Sequence, residues 1–369
     1  MGAPASNPYA DPRRAEAQNV ADRMTLLHSG VRMRAFLGTF GPYSLGQVAN
    51  IRLRNVGIIT GLDVRVTGTV TCPGAAPTVG AFGSYPVITK FQLLDYNTTE
   101  RVNTPGHMLY LLNSWRQHRP FMCVGQGSVD TAQAAAPTAT GTLVANYYVP
   151  LAVDPMRDLA GSVLAQTVVG EQFLNCTIAG NIVGSDPTSV YTAAGGGANG
   201  SAFYINVWQN YIQPMGPQLP LLDLNTVYEY LASFTTTANI VSNGSVFLDY
   251  PNVRSVRGMY WYFMDNNALT VNGTDISSIT LVANGNTNMK EGDPLLMRRG
   301  MRNWIGGDLP ASCYIDDHAA NPISTAIYSQ VQRKLTFGTV TASPTPYLGY
   351  GYESTYRQQT PLPGVAASS

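Results

Sequence analysis

The chain has 369 residues, enough for two cores of ordinary domain size, and its 22 basic residues balance 22 acidic ones to a formal net charge of zero. Only 12% of the residues are charged, against about 25% in an ordinary soluble protein. That balance excludes the broad basic surface of a genome-coating protein, so no direct nucleic-acid binding is expected, and it removes the repulsion that keeps copies apart. No run of about 18 apolar residues occurs, and the opening MGAPASNPYADPRRAEAQ has no apolar signal core, so neither a membrane span nor a secretory signal is expected.

Residues 11–36, DPRRAEAQNVADRMTLLHSGVRMRAF, form the most helical stretch. Val20, Met24, Leu27 and Val31 fall at helical spacing on one face, and Asp11 serves as N-cap with Pro12 in the first turn. Arg13, Arg14, Arg23, Arg32 and Arg34 outnumber Asp11, Glu16 and Asp22. Such a basic amphipathic helix packs on its own domain or lies against anionic lipid.

From Phe36 onward the period changes to two, and strands are expected at 48–54, 62–71, 87–95, 142–149, 173–182 and 202–211. Leu62-Asp63-Val64-Arg65-Val66-Thr67 alternates strictly, as a strand does with one face buried and one wetted. The segment 218–231, QLPLLDLNTVYEYL, interrupts this pattern, and a short helix is expected at 225–231. Strands resume at 245–249, 256–263, 279–283, 312–315, 323–337 and 347–352, while 131–142 and 191–201 read as long surface loops. The fold class is therefore all-β: a β domain, a connector and a second β domain, with no close sequence repeat between them.

Convergent chemistry is sparse. His28, His107, His118 and His318 are scattered and form no His-Glu-x-x-His motif. Asp316-Asp317-His318 is the best candidate for holding a cation or moving protons, set against a reading as a solvated turn. Cys72, Cys123, Cys176 and Cys313 lie far apart, which favours buried free thiols over zinc. Gly195 to Gly200 matches Gly-x-Gly-x-x-Gly, yet a strand-like SAFYINVWQNY follows where a dinucleotide site needs a helix. Arg298-Arg299 is an isolated basic pair. Tyr260-Trp261-Tyr262-Phe263 and Trp208 suit sugar stacking or, as strand-borne aromatics more often do, core and subunit contact. No catalytic residue, metal or cofactor is expected, and the protein reads as a non-enzyme. The competing reading is a β-sandwich carbohydrate-binding or hydrolytic protein.

Several segments resemble the major capsid protein of tectiviruses, tailless phages with a membrane beneath the shell. They are RNVGIITGLDVRVTGTVT (54–71), YYVPLAVDPMRDLAGSVLAQ (147–166), VWQNYIQPMGPQLPLLDLNTVYEYL (207–231), RRGMRNWIGGDLPASCYIDDHAANPIST (298–325) and YLGYGYES (347–354), all in the family's order. The second resembles a strand running into a helix, the third the join between two barrels. The resemblance implies two eight-stranded jelly-roll barrels side by side, with an N-terminal helix and short connecting helices. It divides the chain into an arm and helix (1–40), a first barrel (41–231), a second barrel (232–357) and a flexible tail (358–369) that adapts between capsomers. It further implies a homotrimeric, pseudo-hexagonal capsomer tiling an icosahedral shell over an internal membrane, assembled in the host cytoplasm. The partners it implies are sister copies, vertex and minor capsid proteins, and the viral membrane, which Arg13, Arg14 and Arg23 would face.

Overall fold

The computed structural model describes residue 21 and residues 24–357, apart from 72–77, 96–98, 118–130, 133–139, 166–169, 185–187, 193–198, 215–225, 266–267, 270–274, 286 and 342–344. Within it, eight strands of the first half form two antiparallel sheets: β1 (Val31–Tyr43), β2 (Val48–Arg52), β3 (Ile58–Thr71), β4 (Ile88–Leu94), β5 (Glu100–Thr104), β6 (Thr140–Pro150), β7 (Phe173–Ile178) and β8 (Asn199–Gln213). One sheet runs β1-β8-β3-β6 and the other β2-β7-β4-β5, with short two-residue strands at their margins.

The second half repeats the plan with β9 (Thr226–Thr236), β10 (Ser245–Asp249), β11 (Ser255–Asp265), β12 (Ile276–Ala283), β13 (Thr287–Gly292), β14 (Cys313–Asp317), β15 (Val331–Phe337) and β16 (Tyr347–Arg357). Its sheets run β9-β16-β11-β14 and β10-β15-β12-β13, the same order strand for strand. Each set of eight is a jelly roll. Helix α1 (Gly106–Arg116) joins the fifth and sixth strands of the first set, and α2 (Pro294–Ile305) joins the fifth and sixth of the second.

Both sandwiches close on apolar side chains that point inward at every second position. In β3, Leu62, Val64 and Val66 are buried while Arg65 is exposed. Phe91 of β4 meets Tyr147 of β6 at 4.9 Å across the first barrel, and Phe263 of β11 meets Phe337 of β15 at 5.0 Å across the second. Each such ring contributes roughly 2–3 kcal/mol by leaving water.

The two barrels share an edge. Strands β5 and β9 pair in parallel, Val102 opposite Tyr230 and Asn103 opposite Leu231, so one sheet of each barrel runs continuously into the other.

Four sequence expectations need correction. The stretch at 11–36 is not helical to its end: residues 24–29 are helical, but β1 begins at Val31. Gly30 marks the junction, packed so closely against Ile212 and the Leu26 carbonyl that no side chain fits, and the alternation Val-Arg-Met-Arg-Ala-Phe then suits a strand. The helix expected at 225–231 is strand β9 from Thr226 onward. The strand at 147–150 does not run into a helix: Leu151 to Ala165 turns repeatedly, with the Asp154 and Asp158 carboxylates accepting from the Met156 and Ala160 amides, and Gly161 at φ +86°. The run 323–337 is broken by a 3₁₀ turn at Thr325–Ile327 before β15. Helices α1 and α2 are connecting helices of the kind the resemblance implies, at positions the residue pattern did not assign. The central parts of the loops expected at 131–142 and 191–201, and the tail 358–369, lie outside the described residues.

Candidate assembly surfaces and the inter-barrel seam

Arg116, at the last residue of α1, is the side chain on which the two barrels meet. Its Nε donates to Glu353 of β16 at 2.8 Å, its Nη1 to Asp317 of β14 at 2.7 Å, and its Nη2 to Glu353 as well. Burial opposes its charge, but Glu353 and Asp317 together more than offset this and hold the guanidinium charged. Burial likewise pushes the Asp317 carboxyl up, and the charge and hydrogen bond of Arg116 reverse that shift to a net lowering. At the other end of α1, His107 and the nearby Phe82 pack against Tyr262 of β11 at 5.4 and 5.7 Å. The outer face of the β9-β16-β11-β14 sheet is thereby covered, and β11 is buried on both faces from Gly258 to Asp265.

The Asp316-Asp317-His318 cluster is therefore neither an open site nor a solvated turn. Asp316 is 2% exposed and paired with Arg333, itself buried. His318 Nε2 lies 2.9 Å from the Asp316 carboxylate, and Arg333 reaches the Tyr250 hydroxyl at 3.4 Å. These groups neutralise and hydrogen-bond one another inside the second barrel. No three His, Cys, Asp or Glu side chains converge as a metal site among the described residues.

The strand-borne aromatics resolve in the same direction. Tyr260, Trp261, Tyr262 and Phe263 are all buried, Trp261 stacked on Tyr314 at 5.7 Å, so none offers a face to a sugar. Cys176 and Cys313 are buried free thiols that burial holds well above the ordinary thiol range, hence protonated and unreactive. Cys72 and Cys123 lie outside the described residues, as do His118 and most of the Gly195–Gly200 run, though Asn199–Gln213 is the expected strand. His28 is exposed on the N-terminal helical turn. Arg298 clamps the chain after α2 by donating to the carbonyls of Leu309, Pro310 and Cys313 at 2.7–3.0 Å.

Several large apolar side chains remain exposed at the surface. Strand β1 has no buried residue in its 13 positions, and among the described residues no strand pairs with its outer edge. Phe36, 45% exposed, packs at a tilt against Trp208 of β8 at 5.2 Å, with Arg34 over the indole. On α2, Leu295 and Leu296 stand exposed, while the half-exposed Trp304 packs on Trp115 of α1 at 5.7 Å. Leu26 of the N-terminal turn packs on Ile58, Leu159 and Ile212, whereas Met24 and Val31 of the expected apolar face are exposed. Arg13, Arg14 and Arg23 lie outside the described residues.

This architecture matches known proteins along most of the chain. A family model described as P3 major capsid protein N-terminal matches residues 34–206, and its counterpart, P3 major capsid protein C-terminal, matches residues 225–361. Major capsid protein P3 of Enterobacteria phage PRD1, a tectivirus, is 28% identical over 367 residues, covering 92% of each chain. Among solved structures, the major capsid protein of Sulfolobus Turreted Icosahedral Virus superposes with a TM-score of 0.67 at 12% identity, covering 89% of this chain and 97% of that one. The major capsid protein P2 of bacteriophage PM2 superposes with a TM-score of 0.51 at 10% identity, covering 89% and 99%. The doubled jelly roll, its two family matches and the relative that spans it end to end make this chain a member of the P3 major capsid protein family, a structural protein of the virion shell and not an enzyme.

Proposed function

We propose that three copies of this chain form a pseudo-hexagonal capsomer, and that these capsomers tile an icosahedral shell over an internal viral membrane after assembly in the host cytoplasm. The observation that carries this reading is the strand-for-strand repetition of one barrel by the other, joined edge to edge. Three such chains present six similar barrels, and a closed cyclic assembly of them has near-sixfold outline with threefold symmetry. The low charge and the exposed apolar side chains on β1 and α2 support burial against sister copies.

On this reading the N-terminal segment, with Arg13, Arg14 and Arg23, lies at the base of the capsomer toward anionic lipid, and the 358–369 tail reaches to neighbouring capsomers and to vertex and minor proteins. Met24, exposed beside the anchored Leu26, leaves an apolar side chain free for such a contact. Light scattering on purified full-length protein tests the assembly unit: a mass of three chains is expected, and a monomer at micromolar concentration overturns it.

A further inference from the structure

We propose that Asn284-Gly285, in the turn between β12 and β13, is a site of spontaneous covalent modification, where the Asn284 side chain passes through a cyclic imide to aspartate and isoaspartate. This chemistry belongs to the single chain and does not depend on how copies assemble.

The reaction needs a backbone amide nitrogen free to attack, a side-chain carbonyl prepared to take up negative charge, and access for water. The sequence holds four Asn-Gly pairs, at 199–200, 243–244, 272–273 and 284–285. Glycine leaves the attacking nitrogen unshielded by a side chain in each, so the differences between them come from the fold. Asn272-Gly273 lies outside the described residues. Asn199-Gly200 belongs to β8, where it pairs with Thr71 and Val70 of β3 and the ladder holds the backbone extended. At the second pair the Gly244 amide donates to the Val241 carbonyl at 2.9 Å, and a Cβ on Gly244 would lie only 2.8 Å from the Asn239 carbonyl oxygen. That nitrogen is both occupied and hemmed in.

Asn284-Gly285 differs on each count. Ala283 and Thr287 close the β12–β13 ladder, and the turn between them is exposed at both residues of the pair. Gly285 stands at φ +78°, a Cβ there would meet nothing within 4 Å, and its amide makes no hydrogen bond among the described residues. The Asn284 amide is tied to the Gln330 carbonyl at 2.9 Å, so the turn is anchored just before the attacking nitrogen. The Asn284 Oδ1 accepts twice from Ser329, from its backbone N–H at 3.0 Å and its hydroxyl at 2.9 Å. Two donors on one carbonyl oxygen draw electron density from Cγ and stabilise the oxyanion that forms when Cγ is attacked.

The step balances with water alone. The Gly285 nitrogen gives its proton to solvent and bonds to Cγ, and Oδ1 carries the negative charge between the two Ser329 donors. The bond from Cγ to Nδ2 then breaks, and ammonia leaves with a proton taken from solvent. Water opens the imide at either carbonyl, giving aspartate or isoaspartate. Each event adds a negative charge to an exposed turn, and the isoaspartate product also lengthens the backbone by a carbon beside β13. Repeated over the copies of a shell, these like charges accumulate with the age of the particle.

Mass spectrometry tests this on folded full-length protein held in mildly alkaline buffer and digested at intervals, reading the amide-to-acid mass gain at each pair. Asn284 is expected to convert about tenfold faster than Asn243, the worth of one or two hydrogen bonds. Ser329→Ala should slow Asn284 about fivefold, the worth of one hydrogen bond, and leave Asn243 as it was. Ser329→Thr keeps the hydroxyl and should keep the rate. In urea, where the fold no longer distinguishes them, the two sites should convert at similar rates. The proposal is overturned by Asn243 keeping pace with Asn284 in the folded protein, by an Asn284 rate unchanged or raised in Ser329→Ala, or by a ratio of rates that is the same in urea.

Discussion

Asp316 and Asp317 are adjacent in sequence and bind arginines on opposite sides of one strand: Asp316 holds Arg333 inside the second barrel, and Asp317 holds Arg116 of the first. The alternation of a β-strand is the whole cause. The two substitutions should therefore differ. Asp316→Asn strands a buried guanidinium and is expected to cost about 3–5 kcal/mol, whereas Asp317→Asn, at a quarter-exposed position, costs about 1 kcal/mol. Urea unfolding of the two variants decides it; equal losses would contradict the assignment.

Arg116→Ala leaves Glu353, 1% exposed, without its main counter-charge. A loss of about 3 kcal/mol is expected. Arg116→Lys should recover only part of it, because an ammonium cannot address two carboxylates with a planar fork. A midpoint of unfolding unchanged in Arg116→Ala would remove the seam from the account of stability.

Acid should weaken the seam. The folded Asp317 titrates below the ordinary 3.8 of an aspartate, so its contribution is present in full above that value and is lost as pH falls through the lower folded value. The stability difference between wild type and Asp317→Asn should then be constant from pH 7 to about pH 5 and shrink below about pH 4. Thermal melts from pH 7 down to about pH 2 measure it, and a difference that does not shrink at all below about pH 4 contradicts the pairing with Arg116.

Helix α2 offers a pair of opposed changes. The Asp293 side chain accepts from the Leu296 amide at 2.9 Å, so Asp293→Ala should cost about 1 kcal/mol. Gly300→Ala meets no neighbour and should stabilise the isolated subunit by about 0.5–1 kcal/mol. Melting of dissociated protein reads both signs.

Binding to anionic vesicles tests the N-terminal segment. Replacing Arg13, Arg14 and Arg23 with Glu should abolish flotation of full-length protein with phosphatidylserine liposomes, since each basic residue near such a surface is worth about 1 kcal/mol. Equal flotation of both forms would place the segment against the barrels instead.

Most strands were legible because they are half-buried and alternate, as Leu62 to Thr67 do. Strand β9 was read as a helix because it lies between β16 and β5 in the fused sheet, where Val227, Tyr228, Glu229 and Tyr230 are all buried and the period of two vanishes. Its buried Glu229 is satisfied by Arg254 and Ser354, partners no local pattern reveals. The two missed helices carried usable signals. Met108, Leu111, Leu112 and Trp115 recur at helical spacing in α1, and Asp293-Pro294 with Gly306 at φ +76° brackets α2 by the rule applied to Asp11-Pro12. The seam was illegible, since it depends on Arg116 meeting residues two hundred positions onward.

The parallel pairing of Val102 with Tyr230 also sets a timetable for synthesis. The edge of β5 emerges from the ribosome early and waits while the rest of the first barrel is made before β9 arrives to occupy it. During that interval the edge of β5 is an unclaimed strand that a neighbouring nascent chain can pair with, a hazard that ends once the second half is translated.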